Sequence, residues 1–253
     1  MTVKSVRLVE RNLTGFRRMP LIVVSGIFEP LFYLALASVG FEKLVGDVVG
    51  PGGRVMSYTS FAAPAFLAAA AMQGAIYEIT NMFFKRRYAK TYDAVLNTPL
   101  GVGDIVTGEI AWALMRSALY TVAFLVVMTV MGLLHSWWAV LMLPATLLVG
   151  AAFAGLGAAA TSFMRSWKDF ELVQLFVLVL FLFSGTFYPL STYPSWLRGI
   201  VAASPLYQSV HLLRSLQVGD VGVGLVGAVL YLAALAWIGV RGASARLTRV
   251  LTI

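Results

Sequence analysis

Cysteine is absent from this 253-residue sequence, which excludes disulfide bonds, thiolate metal sites and cysteine nucleophiles. Charge is scarce as well: charged residues make up 12% of the chain, and hydrophobic residues 60%. Soluble domains carry about 25% charged residues. The sequence therefore predicts an all-α polytopic membrane protein, whose helices satisfy their own backbone hydrogen bonds.

Side chains suited to catalysis are few and dispersed. A membrane enzyme needs acids, histidines or metal ligands clustered at one depth, but the 11 acidic residues are scattered along the chain. No glycine is followed by lysine, so the phosphate-binding GxxxxGK[ST] loop is absent. We expect no catalytic residue, no metal and no cofactor on this chain, and we expect another chain to handle ATP.

Six apolar segments come close to the ~20 residues that span a bilayer. They are residues 21–41, 58–80, 108–133, 137–163, 170–190 and 221–240. We expect residues 21–253 to form one membrane domain.

The 19 lysines and arginines predict the orientation of these spans. With six spans, most of them fall on one side, Arg116 lies within the third span, and only Lys43, Arg54, Arg198 and Arg214 fall on the other side. This positive-inside bias places both termini in the cytoplasm. It also explains the net charge of +8 without nucleic acid as a partner.

Residues 1–20 precede the first span. Val6, Val9, Leu13 and Phe16 recur there at helical spacing, with the arginines largely on other faces. The pattern predicts an amphipathic helix on an anionic leaflet. A plain positive-inside tail is the alternative.

Residues 81–107 are the one long polar interval in the first two-thirds of the chain. The interval begins with four basic residues between positions 85 and 90. Val95, Leu96 and Leu100 then share one face of a short helix, and Pro99 ends the pattern. Two interpretations remain open: a solvated loop on anionic lipid, or a docking helix that a soluble partner pushes.

Residues 184–220 lie on the outer side and are interrupted by Pro189, Pro194 and Pro205. Trp196 begins one apolar helical stripe, and a second stripe runs beside Arg214. Irregular backbone at membrane depth must be buried in protein or line a cavity. We predict two short helices that dip into the outer leaflet or cap the bundle. An external loop anchored by interfacial aromatics is the alternative.

Charges within the spans are expensive and need partners. Glu78 or Glu109 is expected to pair with Arg116 as a structural ion pair. Glu29, with no obvious cation nearby, is a candidate for substrate contact.

A hydrophobic pathway would use aromatic and polar residues of the first, second and fifth spans, although lipid-facing or interhelical packing is the alternative for each. The candidates are Glu29, Phe32, Phe66, Gln73, Phe176, Phe183 and Phe187, the last three spaced to share one helix face.

Two stretches together carry a family resemblance. YDAVLNTPL at 92–100 followed by GDIVTGE at 103–109 is similar to the first cytoplasmic loop of type-2 ABC exporter permeases. SGTFYPL at 184–190, YPSWLR at 193–198 and PLY at 205–207 resemble the segment before that family's last span. The resemblance covers nearly the whole chain. It is strongest to permeases for nodulation lipo-oligosaccharide export and antibiotic resistance. The family often has glutamate where Tyr92-Asp93 stands.

The resemblance implies a non-enzymatic permease subunit in the inner membrane of a bacterium, working as a homo- or heterodimer in contact with membrane lipid. Separate ABC ATPase subunits, which hold ATP and Mg, would supply the energy. The implied substrate is amphipathic: a lipid-linked saccharide, a glycolipid or, as in multidrug efflux, a hydrophobic drug. The resemblance also implies that residues 81–107 form a cytoplasmic coupling loop with a short coupling helix. The residues expected to contact the ATPase are Arg87, Tyr92, Asp93, Val95, Leu96, Thr98 and Pro99. A membrane scaffold without transport is the alternative.

Overall fold

The structure is a computed structural model and describes residues 3–17, 28 and 30–251. Its α-helices, numbered in chain order, are α1 (Val3–Arg17), α2 (Glu42–Val45), α3 (Tyr58–Arg87), α4 (Thr91–Leu96), α5 (Val102–Val130), α6 (Met142–Phe163), α7 (Trp167–Leu182), α8 (Ser195–Ala203), α9 (Pro205–Val218) and α10 (Val223–Leu251). Residues 30–36 are also helical and continue into a π-helix, Ala37–Phe41.

Among the described residues, four helices are long and apolar enough to cross a membrane. They are α3, α5, the segment Trp137–Phe163, which joins a 3-10 turn to α6, and α10. These helices correspond to the second, third, fourth and sixth predicted spans. Residues 21–27 and 29, which belong to the first predicted span, lie outside the described residues.

The fifth predicted span, 170–190, is shorter than expected. Helix α7 has 16 residues and ends at Leu182, eight residues before the predicted end. Gly185 follows with φ +67°, a left-handed conformation that interrupts a helix, and the Ser184 hydroxyl caps the Phe181 carbonyl at 2.9 Å. The described residues therefore do not establish six full spans.

Helix α3 forms the centre of the bundle. Ala62, Ala65 and Ala68 are fully buried, and such small side chains allow neighbouring helices to come close. Helices α5, α6 and α9 pack around it. Its last residues, Lys85, Arg86 and Arg87, mark what we call the basic end of the bundle.

The opposite end carries a β-hairpin, and we call it the hairpin end. Strand β1 (Asp47–Val49) pairs antiparallel with β2 (Val55–Ser57) across a turn rich in glycine. Arg54 fixes the hairpin to the end of α9 by donating from Nη1 to the Val218 carbonyl at 2.6 Å. Sequence reasoning did not predict this hairpin. Valines on both sides of a turn rich in glycine and proline were the available signal.

The predicted outer segment, 184–220, contains two short helices, as its prolines suggested. Pro194 precedes α8 and Pro205 is the first residue of α9, positions where the missing N–H costs nothing. Pro189 precedes a 3-10 turn, Leu190–Thr192. Trp196 is exposed. That these helices dip into the outer leaflet remains a prediction.

Arg214 of α9 ties the hairpin end together from a buried position. Its Nε donates to the Phe61 carbonyl at 2.9 Å and its Nη2 to the Gly185 carbonyl at 3.2 Å. The guanidinium also lies 3.6 Å from the centre of the Phe61 ring. One side chain thus joins α9 to α3 and to the turn after α7.

Helices α6 and α10 touch backbone to backbone at Gly155 and Gly239. A Cβ added at Gly239 would lie 2.7 Å from the Gly155 carbonyl oxygen, far inside van der Waals contact. One turn further along α10, a Cβ added at Gly242 would meet no atom within 4 Å.

We expect Gly239→Ala to separate α6 from α10 and to lower the free energy of unfolding by about 1–3 kcal/mol, the usual cost of overpacking. The matched change Gly242→Ala should be neutral or slightly stabilising, because alanine favours helix. Thermal unfolding of both variants in detergent measures the difference. Equal midpoints would contradict the close packing.

Candidate functional site

A buried carboxylate, Glu109, joins four segments at the basic end. It is 1% exposed and lies two turns into α5. Lys85 Nζ of α3 lies 2.6 Å from Oε2, and Asn12 Nδ2 of α1 donates to the same oxygen at 3.1 Å. Arg11 Nη2 lies 3.5 Å from Oε1, and the Tyr92 hydroxyl of α4 donates to Oε1 at 3.2 Å. We call these five residues the Glu109 junction.

Tyr92 is the contact through which α4 enters this junction. Burial, together with the neighbouring Glu109 carboxylate, holds the pKa of the Tyr92 phenol well above its usual value. The hydroxyl is therefore protonated at neutral pH and remains a hydrogen-bond donor. A displacement of α4 must move or break a bond to a buried charge, which is costly to leave unsatisfied.

A second ion pair, between Glu78 and Arg116, lies deeper in the bundle. Arg116 Nη1 donates to Glu78 Oε2, and Trp112 Nε1 donates to Oε1 at 2.8 Å. The prediction of a Glu78–Arg116 pair is confirmed. The other option, Glu109 with Arg116, is wrong, because Lys85 and Arg11 occupy Glu109 instead.

Helix α1 connects the two charged sites. Its Arg11 and Asn12 reach Glu109, and one turn later Phe16 packs edge-on against Trp112 at a ring distance of 5.4 Å. The Arg116 guanidinium also lies 5.3 Å from the centre of the Phe16 ring. The helix predicted within residues 1–20 is present, and it packs against α5. Val6 of the predicted apolar stripe is exposed, and the placement of α1 on an anionic leaflet remains a prediction.

The predicted docking residues divide into inward and outward groups. Tyr92 is buried in the Glu109 junction, and Val95 and Leu96 pack half-buried against the core. Arg87, Thr98 and Pro99 are exposed. The side chain of Asp93 lies outside what the structure describes. The apolar face of α4 therefore holds the helix to the bundle, and the docking role of these residues remains a prediction.

A groove of about 750 Å³ runs between α3, α5 and α7. Toward the basic end its lining is polar and includes Gln73, Asn81, Arg116 and Gln174; toward the hairpin end it is aromatic and includes Phe66, Phe124 and Phe181. Phe66 and Asn81 are 15 residues apart on α3, a rise of about 22 Å. The groove therefore offers a polar half and an apolar half to one molecule.

Of the predicted pathway residues, Phe66 and Gln73 line this groove. Phe187 packs behind it against Phe66 and Phe181, at ring distances of 6.1 and 5.2 Å. The other three aromatics, Phe32, Phe176 and Phe183, are exposed and are not part of its lining. The shared helix face expected for Phe176, Phe183 and Phe187 is wrong, because α7 ends at Leu182. Glu29 lies outside the described residues.

Sequence reasoning did not single out Asn12, Lys85 or Gln174 for these sites. Lys85 was counted only as one of four basic residues, although its spacing of 24 residues from Glu109 matches a helix–loop–helix return. Gln174 is a lone polar side chain in an apolar predicted span. The same feature marked Gln73 as a pathway candidate, so it could have marked Gln174 as well.

Comparison with known proteins defines the class of this protein. The ABC-2 type transporter family matches residues 5–218, and the chain belongs to that family. Nodulation protein J of Rhizobium leguminosarum bv. viciae is 34% identical over 83% of this chain and 80% of its own length. Nodulation protein J of Rhizobium meliloti (strain 1021) is 32% identical over 87% of this chain and 84% of its own length. The resemblance inferred from 92–109 and 184–207 is confirmed.

We expect Glu109→Gln to lower the free energy of unfolding by about 1–3 kcal/mol, because it leaves the ammonium of half-buried Lys85 without its anion. Glu171→Gln removes an exposed carboxylate from α7 and should change little. Thermal unfolding in detergent gives both values.

A double-mutant cycle measures the interaction energy between Lys85 and Glu109. Lys85→Met combined with Glu109→Gln should cost less than the sum of the single changes, since neither partner is then left charged and alone. Additive losses would show that Lys85 and Glu109 do not interact.

Proposed function

We propose that this chain is the membrane permease subunit of an ATP-driven exporter in the inner membrane of a bacterium, with both termini in the cytoplasm. Two copies, or one copy and a homologue, would form the pathway, and separate ABC ATPase subunits would hold ATP and Mg. Membership of the ABC-2 type transporter family supports this assignment. The observation that carries the mechanism is the Glu109 junction, which joins the short helix α4 to three elements of the bundle.

The mechanism is a rigid-body transmission. Closure of the ATPase dimer pushes α4 from the cytoplasm, and Tyr92 transfers the displacement to Glu109 on α5. Through Lys85 and Asn12 the same carboxylate moves the end of α3 and helix α1. Because α3 and α5 form two walls of the groove, their relative movement changes its width.

The groove supports an amphipathic substrate. Its aromatic half can hold an acyl chain or a fused-ring drug, while Gln73, Asn81 and Gln174 offer amide groups to hydroxyls. Lipid-linked saccharides, glycolipids and hydrophobic drugs fit this division of polarity. The Glu78–Arg116 pair is internally neutralised, so the groove does not demand a charged substrate.

The ATPase contact is tested at Asn97, an exposed residue at the end of α4. Asn97→Arg should abolish capture of the neighbouring candidate ABC ATPase in pull-down and lower vesicle ATPase activity to the level without permease. Ala245→Arg adds the same charge at an exposed site near the end of α10 and should preserve both. Unchanged capture in Asn97→Arg would remove α4 from the contact and favour a scaffold without transport.

The groove is tested at Gly74, which lines it and whose added Cβ would meet no atom within 4 Å. Gly74→Trp should fill part of the groove and reduce export of an amphipathic dye from vesicles to background. Gly74→Ala, which adds one methyl, should keep most of the export. Normal export with tryptophan at this site would place the pathway elsewhere.

A further inference from the structure

A second pocket, of about 350 Å³, opens between α1 and α4 beside the Glu109 junction. Three basic side chains line it: Arg7 and Arg11 from α1, and Lys90 from the residue before α4. The hydroxyl-bearing residues Thr91 and Thr98 complete its polar wall. Among the described residues that line it, none is acidic. The pocket therefore presents positive charge and hydrogen-bond donors to a bound group.

The positive charge in this pocket is only partly compensated. Arg11 Nη2 lies 3.5 Å from Glu109 Oε1, but Glu109 already forms a much shorter ion pair, of 2.6 Å, with Lys85. Arg7 and Lys90 are exposed. A single anion between α1 and α4 would reduce the repulsion among three cations that share a small volume.

The backbone at Lys90 supports a fixed site rather than a chance cluster. Lys90 has φ +46° and ψ 29°, the left-handed conformation that disfavours any residue with a long side chain. Such strain is kept where surrounding structure imposes it, and it often accompanies binding sites. At this turn the chain brings Lys90 into the lining of the pocket together with the two arginines of α1.

The surroundings of the pocket match the headgroup layer of a bilayer. With the orientation proposed above, α3 ends at Arg87 and α5 begins at Val102 on the cytoplasmic side, so the pocket lies where the spans leave the hydrocarbon. Part of the lining is apolar, namely Leu8, Val95 and Leu100. Anionic lipids of the cytoplasmic leaflet bind basic pockets at this depth.

We propose that this pocket binds the phosphate headgroup of an anionic phospholipid, with the first carbons of its acyl chains against the apolar wall. A carboxylate of the partner ATPase is the rival occupant. The lipid fits better, because a solvated carboxylate gains nothing from Leu8, Val95 and Leu100. A bound lipid would contact both α1 and α4. The anionic lipid content of the membrane would therefore affect the position of α4, the helix proposed to contact the ATPase.

The test uses the purified full-length chain in an uncharged detergent. Short-chain phosphatidylglycerol is titrated, with phosphatidylcholine of the same chain length and sn-glycerol 3-phosphate as separate arms, and bound lipid is measured by native mass spectrometry. The pocket variant is Arg7→Gln with Lys90→Asn; asparagine tolerates the left-handed backbone, so the fold is preserved. The control, Arg165→Gln with Lys168→Gln, removes two exposed cations outside the pocket.

We expect phosphatidylglycerol to bind the unaltered chain and the control equally, and to bind the pocket variant about 30-fold more weakly, the loss expected for two basic contacts. Phosphatidylcholine and sn-glycerol 3-phosphate should bind far more weakly than phosphatidylglycerol.

Equal affinity in the pocket variant, or equal weakening in the control, would overturn the proposal. Equal binding of sn-glycerol 3-phosphate would show a site for free phosphate instead. Loss of ATPase capture in the pocket variant with unchanged lipid binding would make the pocket a protein-docking surface. Lipid binding is measured without ATP or ATPase, so its failure leaves the transport proposal standing.

Discussion

A carboxylate withdrawn from water determines how the basic end is built. Glu109 is almost completely buried, and an uncompensated charge in that position would cost several kcal/mol. Compensation comes from segments far apart in sequence, so the end of α3, the helix α4 and the helix α1 all converge on one side chain. The position of α4 is thereby fixed by electrostatics as well as by its half-buried Val95 and Leu96.

Helix α1 extends this arrangement from Glu109 to the second ion pair. Its Arg11 and Asn12 contact Glu109, while Phe16, on the following turn, contacts Trp112 and Arg116 beside the groove. Helix α1 therefore contacts both the Glu109 junction and residues beside the groove. In the transport mechanism proposed for this chain, α1 works as a rigid connector.

Hydropathy located the membrane-crossing parts of the helices but not their full length. Helix α3 continues to Arg87 and α5 begins at Val102, beyond the apolar limits of 80 and 108, because basic and polar residues extend a helix out of the bilayer. The early end of α7 at Leu182 depends on the left-handed Gly185, which no apolar pattern reveals. The same break removed Phe187 from the helix face on which its spacing had placed it.

Pairing of charges was predictable where few partners existed. Glu78 and Arg116 lie within spans, and each needs an opposite charge, so the sequence alone narrowed the choice to two pairs. The contact between Tyr92 and Glu109 was not predictable, because it depends on the left-handed turn at Lys90, which places α4 next to the first turns of α5. Tertiary geometry, rather than any local motif, creates the Glu109 junction.

The backbone contact between Gly155 and Gly239 has a consequence for traffic within the bilayer. At that level α6 and α10 leave no room for even a methyl group, so an acyl chain cannot slip between them. A molecule that enters the helix bundle laterally from the bilayer must pass between other helices. Helix α7, apolar and exposed at Leu172, Leu175 and Leu178, borders the groove. If the chain exports an amphipathic molecule as proposed, the flank of α7 is the side on which that molecule would enter.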